Sequence, residues 1–202
     1  MAAAKAHELG AKLVAMSDIE GYVYDPNGLD VPYICEKAKQ KGMFSKDYAN
    51  DHKGVKWVSG PHGMWSVPCD IALPCATQGE IHEDDAKLLK KNGCYMLVEG
   101  ANMPCDVEAI RYFNNNGVLF APGKASNAGG VAVSGLEMTQ NAIHLPWSFE
   151  EVDERLKGIM KDIFKKCYET AVKYGQPTNI ALGANIAGFL KVYDAMVAQG
   201  VC

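Results

Sequence analysis

Apolar residues recur along this chain in two alternating rhythms. Ala2 to Leu9 is a run of good helix formers closed by Gly10, a residue that favours helix C-termini. Lys12-Leu13-Val14-Ala15-Met16 reads as a buried strand, broken by the turn-forming Asp25-Pro26-Asn27-Gly28. A helix is expected around Tyr33 to Lys41, a short strand at Val55-Lys56-Trp57-Val58, and a stronger one at Asp70-Ile71-Ala72-Leu73-Pro74. Residues 82 to 92 open with Glu83-Asp84-Asp85 and close with Lys90-Lys91-Asn92-Gly93, the charge order a helix dipole favours. Cys94 to Glu99 reads as a strand, Asp106 as the cap of a helix reaching Phe113, and Val118-Leu119-Phe120-Ala121 as another strand.

Strands joined by single helices call for crossovers and a mostly parallel sheet covered on both faces, a doubly wound α/β pattern. From Asn127 helices take over. Ser148 with Glu151 forms a capping box, and Val152, Leu156, Ile159, Ile163 and Cys167 follow at helical spacing, a stripe expected in the core. A last helix is expected from about Ala184 to Gln199. The expected division is a sheet domain over residues 1–145 and a helical segment over 146–202 that packs on it.

Composition narrows the function classes. A chain of 202 residues can bury a real core, and 48% hydrophobic with 22% charged residues is a globular composition. The net charge of −4 gives no electrostatic footprint for nucleic acid or an anionic membrane, so neither is an expected partner. No uncharged apolar stretch is long enough to span a bilayer, and Met1 to Glu8 lacks the apolar centre of a signal peptide. A soluble, cytoplasmic chain is the expectation. The seven cysteines are odd in number and none is spaced as C-x-x-C, which argues for reduced thiols and against a disulfide framework. His82-Glu83-Asp84-Asp85 has no second histidine to complete a zinc-binding helix, and no metal site is expected.

Doubly wound sheets bind ligands beyond the carboxyl ends of their strands. Three loops in that position carry unusual residues: Pro74-Cys75-Ala76-Thr77-Gln78-Gly79, Glu99-Gly100-Ala101-Asn102-Met103-Pro104, and the stretch from Ala121-Pro122-Gly123-Lys124 to Asn127-Ala128-Gly129-Gly130. Each could be an ordinary turn; three in succession point to a ligand-binding crevice. Gly123-Lys124 is not a phosphate loop, since Lys124 is followed by Ala125 and Gly117 lies one residue too far upstream, and no G-x-G-x-x-G occurs. Ser17-Asp18, straight after a strand, offers either a carboxylate for ribose hydroxyls or a solvated turn aspartate.

Together these loops, continued by Val131-Ala132-Val133-Ser134-Gly135-Leu136-Glu137-Met138-Thr139-Gln140-Asn141 and joined by Gly183-Ala184-Asn185-Ile186-Ala187-Gly188-Phe189, resemble the hexameric glutamate dehydrogenases over essentially the whole chain. Branched-chain and aromatic amino-acid dehydrogenases share Asn127-Ala128-Gly129-Gly130 but not the stretch Ser134 to Asn141. The resemblance implies a Rossmann-like domain and oxidative deamination of L-glutamate to 2-oxoglutarate and ammonia, with hydride passing to a nicotinamide. Ser134 matches a residue that hydrogen-bonds the substrate's side-chain carboxylate, Val131 a pocket wall, and Asn127, with the neighbouring Gly130, a polar position near the reacting centre. Asn102 and the loop Ala76-Thr77-Gln78 match positions along the nicotinamide and its ribose, and Ser17 and Asp18 positions that meet the coenzyme. Taken alone, Ser134 reads as a helix residue bonding its own backbone.

The resemblance also implies what this stretch lacks. The family's lysine and proton-shuttling aspartate belong to an N-terminal substrate domain, so no catalytic acid or base is expected here. The first strand and its glycine-rich turn are missing as well, and the expected fold is a Rossmann-like doubly wound sheet without its first strand, followed by C-terminal helices. That leaves Leu13-Val14-Ala15 and Ile71-Ala72-Leu73 without a shared partner, and the last helix with bare apolar surface. A fragment inactive by itself is expected, with a non-catalytic nucleotide-binding or interaction module as the alternative. The full-length enzyme would be a homo-oligomer. Asp18 argues for NAD by repelling a 2′-phosphate; Ser17-Asp18 before Gly21 is more similar to NADP-using members, and Lys39, Lys41 or Lys46 could reach a phosphate, so NADP is expected with NAD as the alternative.

Overall fold

The computed structural model describes residues 1–41 and 45–200. Its first half runs α1 (Ala2–Glu8), β1 (Ala15–Ser17), β2 (Gly21–Tyr24), α2 (Val31–Lys41), α3 (Ser45–Asp51), β3 (Lys56–Ser59) and a 3-10 turn (Pro61–Ser66). Then come β4 (Ile71–Ala72), α4 (Glu83–Lys91), β5 (Met96–Val98), α5 (Val107–Asn115) and β6 (Leu119–Ala121). Four helices finish the order: α6 (Gly123–Ser126), α7 (Ala128–Ile143), α8 (Phe149–Lys173) and α9 (Ile180–Gln199).

β4, β5 and β6 lie side by side in that order and parallel, joined through α4 and α5, as the alternation predicts. Leu97 and Phe120 point inward from this sheet and pack with Trp65, Ile81, Leu89 and Phe113 in one core. Local chemistry sets the helix starts. Asp106 Oδ1 accepts the Ala109 N–H at 2.7 Å, and His82 with Asp85 closes a reciprocal cap on α4. Three acids in the first turn of α4 and Lys90 and Lys91 in its last oppose the helix dipole favourably.

The N-terminal strands depart from the parallel expectation. β1, β2 and β3 form an antiparallel meander in which Val23 stands opposite Met16 on one side and Trp57 on the other. β2 was not foreseen, because Gly21-Tyr22-Val23-Tyr24 is short and lies between turn-forming residues. Its aromatic and β-branched residues nonetheless suit a pleated surface. Gly21 permits the pairing: a Cβ there would stand 2.2 Å from the Val58 carbonyl oxygen. The expected strand at Lys12 starts only at Ala15, since the carbonyls of Leu13 and Val14 accept from Leu29 and Asp25 and so brace the turn. Val23, Leu29, Ile34 and Tyr48 form this sheet's own core. β1 and β4 are both edge strands, and among the described residues no hydrogen-bonded ladder joins the two sheets.

The capping box at Ser148 forms as expected, with Glu151 N–H on Ser148 Oγ at 3.2 Å and Ser148 N–H on Glu151 Oε2 at 2.8 Å. α8 and α9 meet at Gly183, where a Cβ would lie 2.0 Å from the Cys167 carbonyl oxygen. The α8 stripe is shallower than expected: Cys167 is buried, while Val152, Leu156, Ile159 and Ile163 are half-buried. α9 amends the reading of membrane-crossing potential. With 20 residues and a mean hydropathy of 1.3 it is long and apolar enough to cross a bilayer by length and composition alone. Lys191 and Asp194 interrupt it, and its Gly183 and Ala187 are buried in the fold.

Candidate functional site

The three post-strand loops converge at the carboxyl ends of β4, β5 and β6. Pro74 O, beyond β4, accepts the N–H groups of Gly100 and Ala101 beyond β5 at 2.9 and 3.0 Å. Gly79 N–H donates to Met103 O at 3.0 Å and Ile81 N–H to Pro104 O at 2.9 Å, so the first two loops are zipped along their length. The contact is close: a Cβ at Gly100 would lie 2.5 Å from Cys75 Sγ. Ala76, Thr77 and Gln78 ride on the outer surface of this pair and are exposed. Behind them, burial raises the Glu80 carboxyl above its ordinary range, opposed by the backbone N–H groups of Ala76 and Thr77.

Glu99 fastens the third loop. Only 4% exposed, its carboxylate accepts Gly123 N–H at 2.6 Å through one oxygen and Cys105 N–H at 3.3 Å through the other. Its carbonyl accepts the Ser126 hydroxyl at 2.6 Å. Gly123 is needed there, since a Cβ would fall 2.8 Å from Ala101 O. Burial, and then the Glu99 charge, push the neighbouring Cys105 thiol far up, so it stays neutral.

This bracing brings Asn102 and Asn127 together. Asn127 Nδ2 donates to Asn102 Oδ1 at 2.7 Å and reaches Ala101 O at 3.2 Å. Asn127 is also the N-cap residue of α7, and Val131 and Ser134 follow it at helical intervals, so the three occupy one face. Gly130, Val131 and Ser134 are all exposed. The Ser134 hydroxyl donates to Gly130 O at 3.2 Å, the local backbone bond that its helical position alone suggests. On the far side Lys124 Nζ donates to Asn185 Oδ1 at 2.6 Å, tying α9 to the third loop.

Ser17 ends β1, in the other sheet, and Asp18 follows it. Asp18 is a turn residue bonded to its own surroundings: Oδ1 accepts Glu20 N–H at 2.8 Å and Gly21 N–H at 3.2 Å, and Oδ2 accepts Ser45 N–H. Desolvation raises its pKa, yet these bonds outweigh it and hold the carboxyl below its ordinary value. Ser45 is fully buried and accepts Trp57 Nε1–H at 3.1 Å, which fixes the neighbouring Lys46 above the Trp57 ring. Lys39 is exposed, and the Lys41 side chain lies outside the described residues. Glu99 and Asn185 stand inside the motifs without a role that the sequence alone assigns. A carboxylate closing the apolar run Met96-Leu97-Val98 was the available signal for a buried anchor. No cluster of three His, Cys, Asp or Glu side chains among the described residues could hold a metal ion.

A family model described as Glutamate/Leucine/Phenylalanine/Valine dehydrogenase matches residues 1–200. The chain belongs to this family. It is 52% identical over 204 residues to an NADP-specific glutamate dehydrogenase of Salmonella typhi, covering 98% of this chain and 44% of that protein. To an NAD-specific glutamate dehydrogenase of Porphyromonas gingivalis it is 48% identical over 204 residues, covering 99% of this chain and 45% of the relative. The crystal structure of Plasmodium falciparum glutamate dehydrogenase superposes with a TM-score of 0.90 at 44% identity, over 100% of this chain and 44% of that one. The chain thus spans less than half the length of these dehydrogenases, and their names divide between two coenzymes.

Proposed function

We propose that the chain is the coenzyme-binding portion of a glutamate dehydrogenase, in which L-glutamate and water become 2-oxoglutarate and ammonia while a nicotinamide coenzyme takes up hydride. The observation that carries this reading is the Asn102–Asn127 pair, braced by Glu99 and continued by the exposed row Val131 and Ser134 on α7. The residues fit a nicotinamide. With Asn102 Oδ1 engaged by Asn127, its amide N–H groups are left to donate to a carboxamide or ribose oxygen. Ala76, Thr77 and Gln78 supply an exposed polar rim beside it. The coenzyme, when bound, supplies the hydride acceptor.

Ser134 sets the choice of substrate in this reading. Its hydroxyl can turn from Gly130 O to a carboxylate, which favours an acidic side chain over an apolar one. Val131 forms the wall beside it. No residue of this chain is assigned the acid or base role, so no turnover is expected from it alone, and the complete enzyme is read as a homo-oligomer. Residues 1–145 are read as the dinucleotide-binding domain and 146–202, whose last two residues lie outside the described ones, as the segment that faces the substrate side.

We read the coenzyme as NADP, with NAD as the alternative. Three backbone N–H groups already satisfy Asp18, which blunts its repulsion of a 2′-phosphate, and Lys46 follows Ser45, one of those donors. The test is a titration of the folded chain with NADPH and NADH at millimolar concentration, followed by NMR of the side-chain amides. Shifts at Asn102 and Asn127, lost in Asn102→Ala, are expected, with NADPH binding the tighter. Unmoved Asn102 and Asn127 signals on a folded chain would overturn the reading, and tighter binding of NADH would reassign the coenzyme.

A further inference from the structure

We propose that Cys69 and Cys94 are a dithiol oxidation site that hydrogen peroxide closes to a disulfide between the chains leading into β4 and β5. The pairing Ile71 with Met96 and Ala72 with Leu97 fixes the register of these parallel strands. Two residues back on each stands a cysteine, and the N–H groups of Tyr95 and Met96 donate to Asp70 O at 3.0 and 3.3 Å, so the chains are still joined there. Neighbouring strands lie about 4.8 Å apart, inside the roughly 4.4–6.8 Å between Cα atoms that a disulfide spans. Both residues belong to one packed region: Cys94 is buried in the core around Leu97, and Cys69 is half-buried against it.

The two thiols act on one another. The Cys69 thiol hydrogen-bonds the Cys94 sulfur, and this bond is the main cause that lowers Cys94 to about 7, against the opposing effect of burial. The same bond, with burial and the nearby Asp70 carboxylate, drives Cys69 far up. The pair therefore sheds its first proton near neutral pH and shares the second between the sulfurs. Cys75, Cys105 and Cys167 are pushed up as well, chiefly by burial, and no second thiol acts on any of them.

The chemistry balances with peroxide as the only co-reactant. Cys69, the less buried residue of the two, attacks one peroxide oxygen as the shared proton passes to Cys94. The O–O bond breaks, hydroxide takes up a proton to leave as water, and Cys69 becomes a sulfenic acid. Cys94 sulfur then attacks that sulfur, the S–S bond forms and a second water departs. Two thiols and one peroxide become one disulfide and two waters.

Treating the folded chain at pH 7 with one equivalent of hydrogen peroxide, alkylating and digesting it should yield a Cys69–Cys94 cross-linked peptide that dithiothreitol reverses. Cys69 and Cys94 should be lost to alkylation before Cys75, because only this pair sheds a proton near neutral pH. Cys94→Ser should stop the reaction at a sulfenic acid on Cys69, captured by dimedone. Should that variant fail to fold, the wild-type comparison still decides: Cys69 and Cys94 both remaining alkylatable, or Cys75 reacting first, would overturn the proposal.

Discussion

The parallel sheet and the C-terminal helices use apolar residues in opposite ways. Between Ile71 and Ala121, Ile81, Leu89, Leu97, Phe113 and Phe120 are almost wholly buried. Along α8 and α9, Phe164, Tyr168, Phe189, Val192 and Tyr193 are exposed. Both regions are amphipathic in sequence, so the difference lies in what stands opposite. In the first, a sheet face and two helices close on one another; in the second, α8 and α9 pack together around Gly183, Cys167 and Ala171 and leave their outer faces open. An apolar stripe states that a face is built to be covered, and leaves open what covers it. The contrast makes a quantitative claim: equal side chains in the two regions should contribute unequally to the stability of this chain.

The sharpest test is Phe113→Ala. Phe113 is fully buried and stacks on Phe120 with ring centroids 6.3 Å apart. Its truncation removes burial and leaves a cavity, and the expected loss is about 3–5 kcal/mol, read from the urea midpoint. A loss below about 1 kcal/mol would mean that the sheet core is no better packed than the helices.

Next comes Glu99→Ala, which joins stability to the site. It strands the Gly123 and Cys105 N–H groups away from water, at about 1–3 kcal/mol each. A midpoint loss of about 2–4 kcal/mol is expected, together with weakened coupling between Asn102 and Asn127, seen as averaging of their side-chain amide signals. Full stability in this variant would show that the third loop is held by its helix contacts, with the buried carboxylate incidental.

Much of this was legible in the sequence, and the limits have physical reasons. The caps at Asp106 and Ser148, the charge order of α4 and the three parallel strands follow from local chemistry that travels with the residues. That the three loops gather at one end of the parallel sheet could be expected from their place after its strands. β2 could not, because four residues gain their strand geometry from Met16 and Trp57 on either side, a tertiary cause. Asp18 shows the same limit at the level of a single group. Its position after a strand leaves open a carboxylate turned to a ligand or a turn aspartate, and it is Ser45, distant in sequence, that draws it into the fold. Glu99 lies at the other extreme: its burial is implied by the strand it follows, but one of its N–H partners, Gly123, comes from another loop whose approach no local pattern encodes.

The smallest expected effect completes the comparison. Phe189 is 63% exposed and stacks on Tyr193, one helical turn further on, with centroids 6.0 Å apart. Phe189→Ser removes the same kind of side chain as Phe113→Ala, from a face with little packed against it. The urea midpoint should move by less than about 0.5 kcal/mol, as for a surface substitution. Binding of a hydrophobic dye should fall in the same variant, because the apolar patch on α9 shrinks. A loss near 2 kcal/mol would require Phe189 to be covered in the isolated chain, either by another copy or by a rearranged α8. Repeating the measurement at tenfold lower protein separates these, since only a contact between copies weakens on dilution. A change that survives dilution would place the cover within the chain and erase the distinction between its two apolar regions.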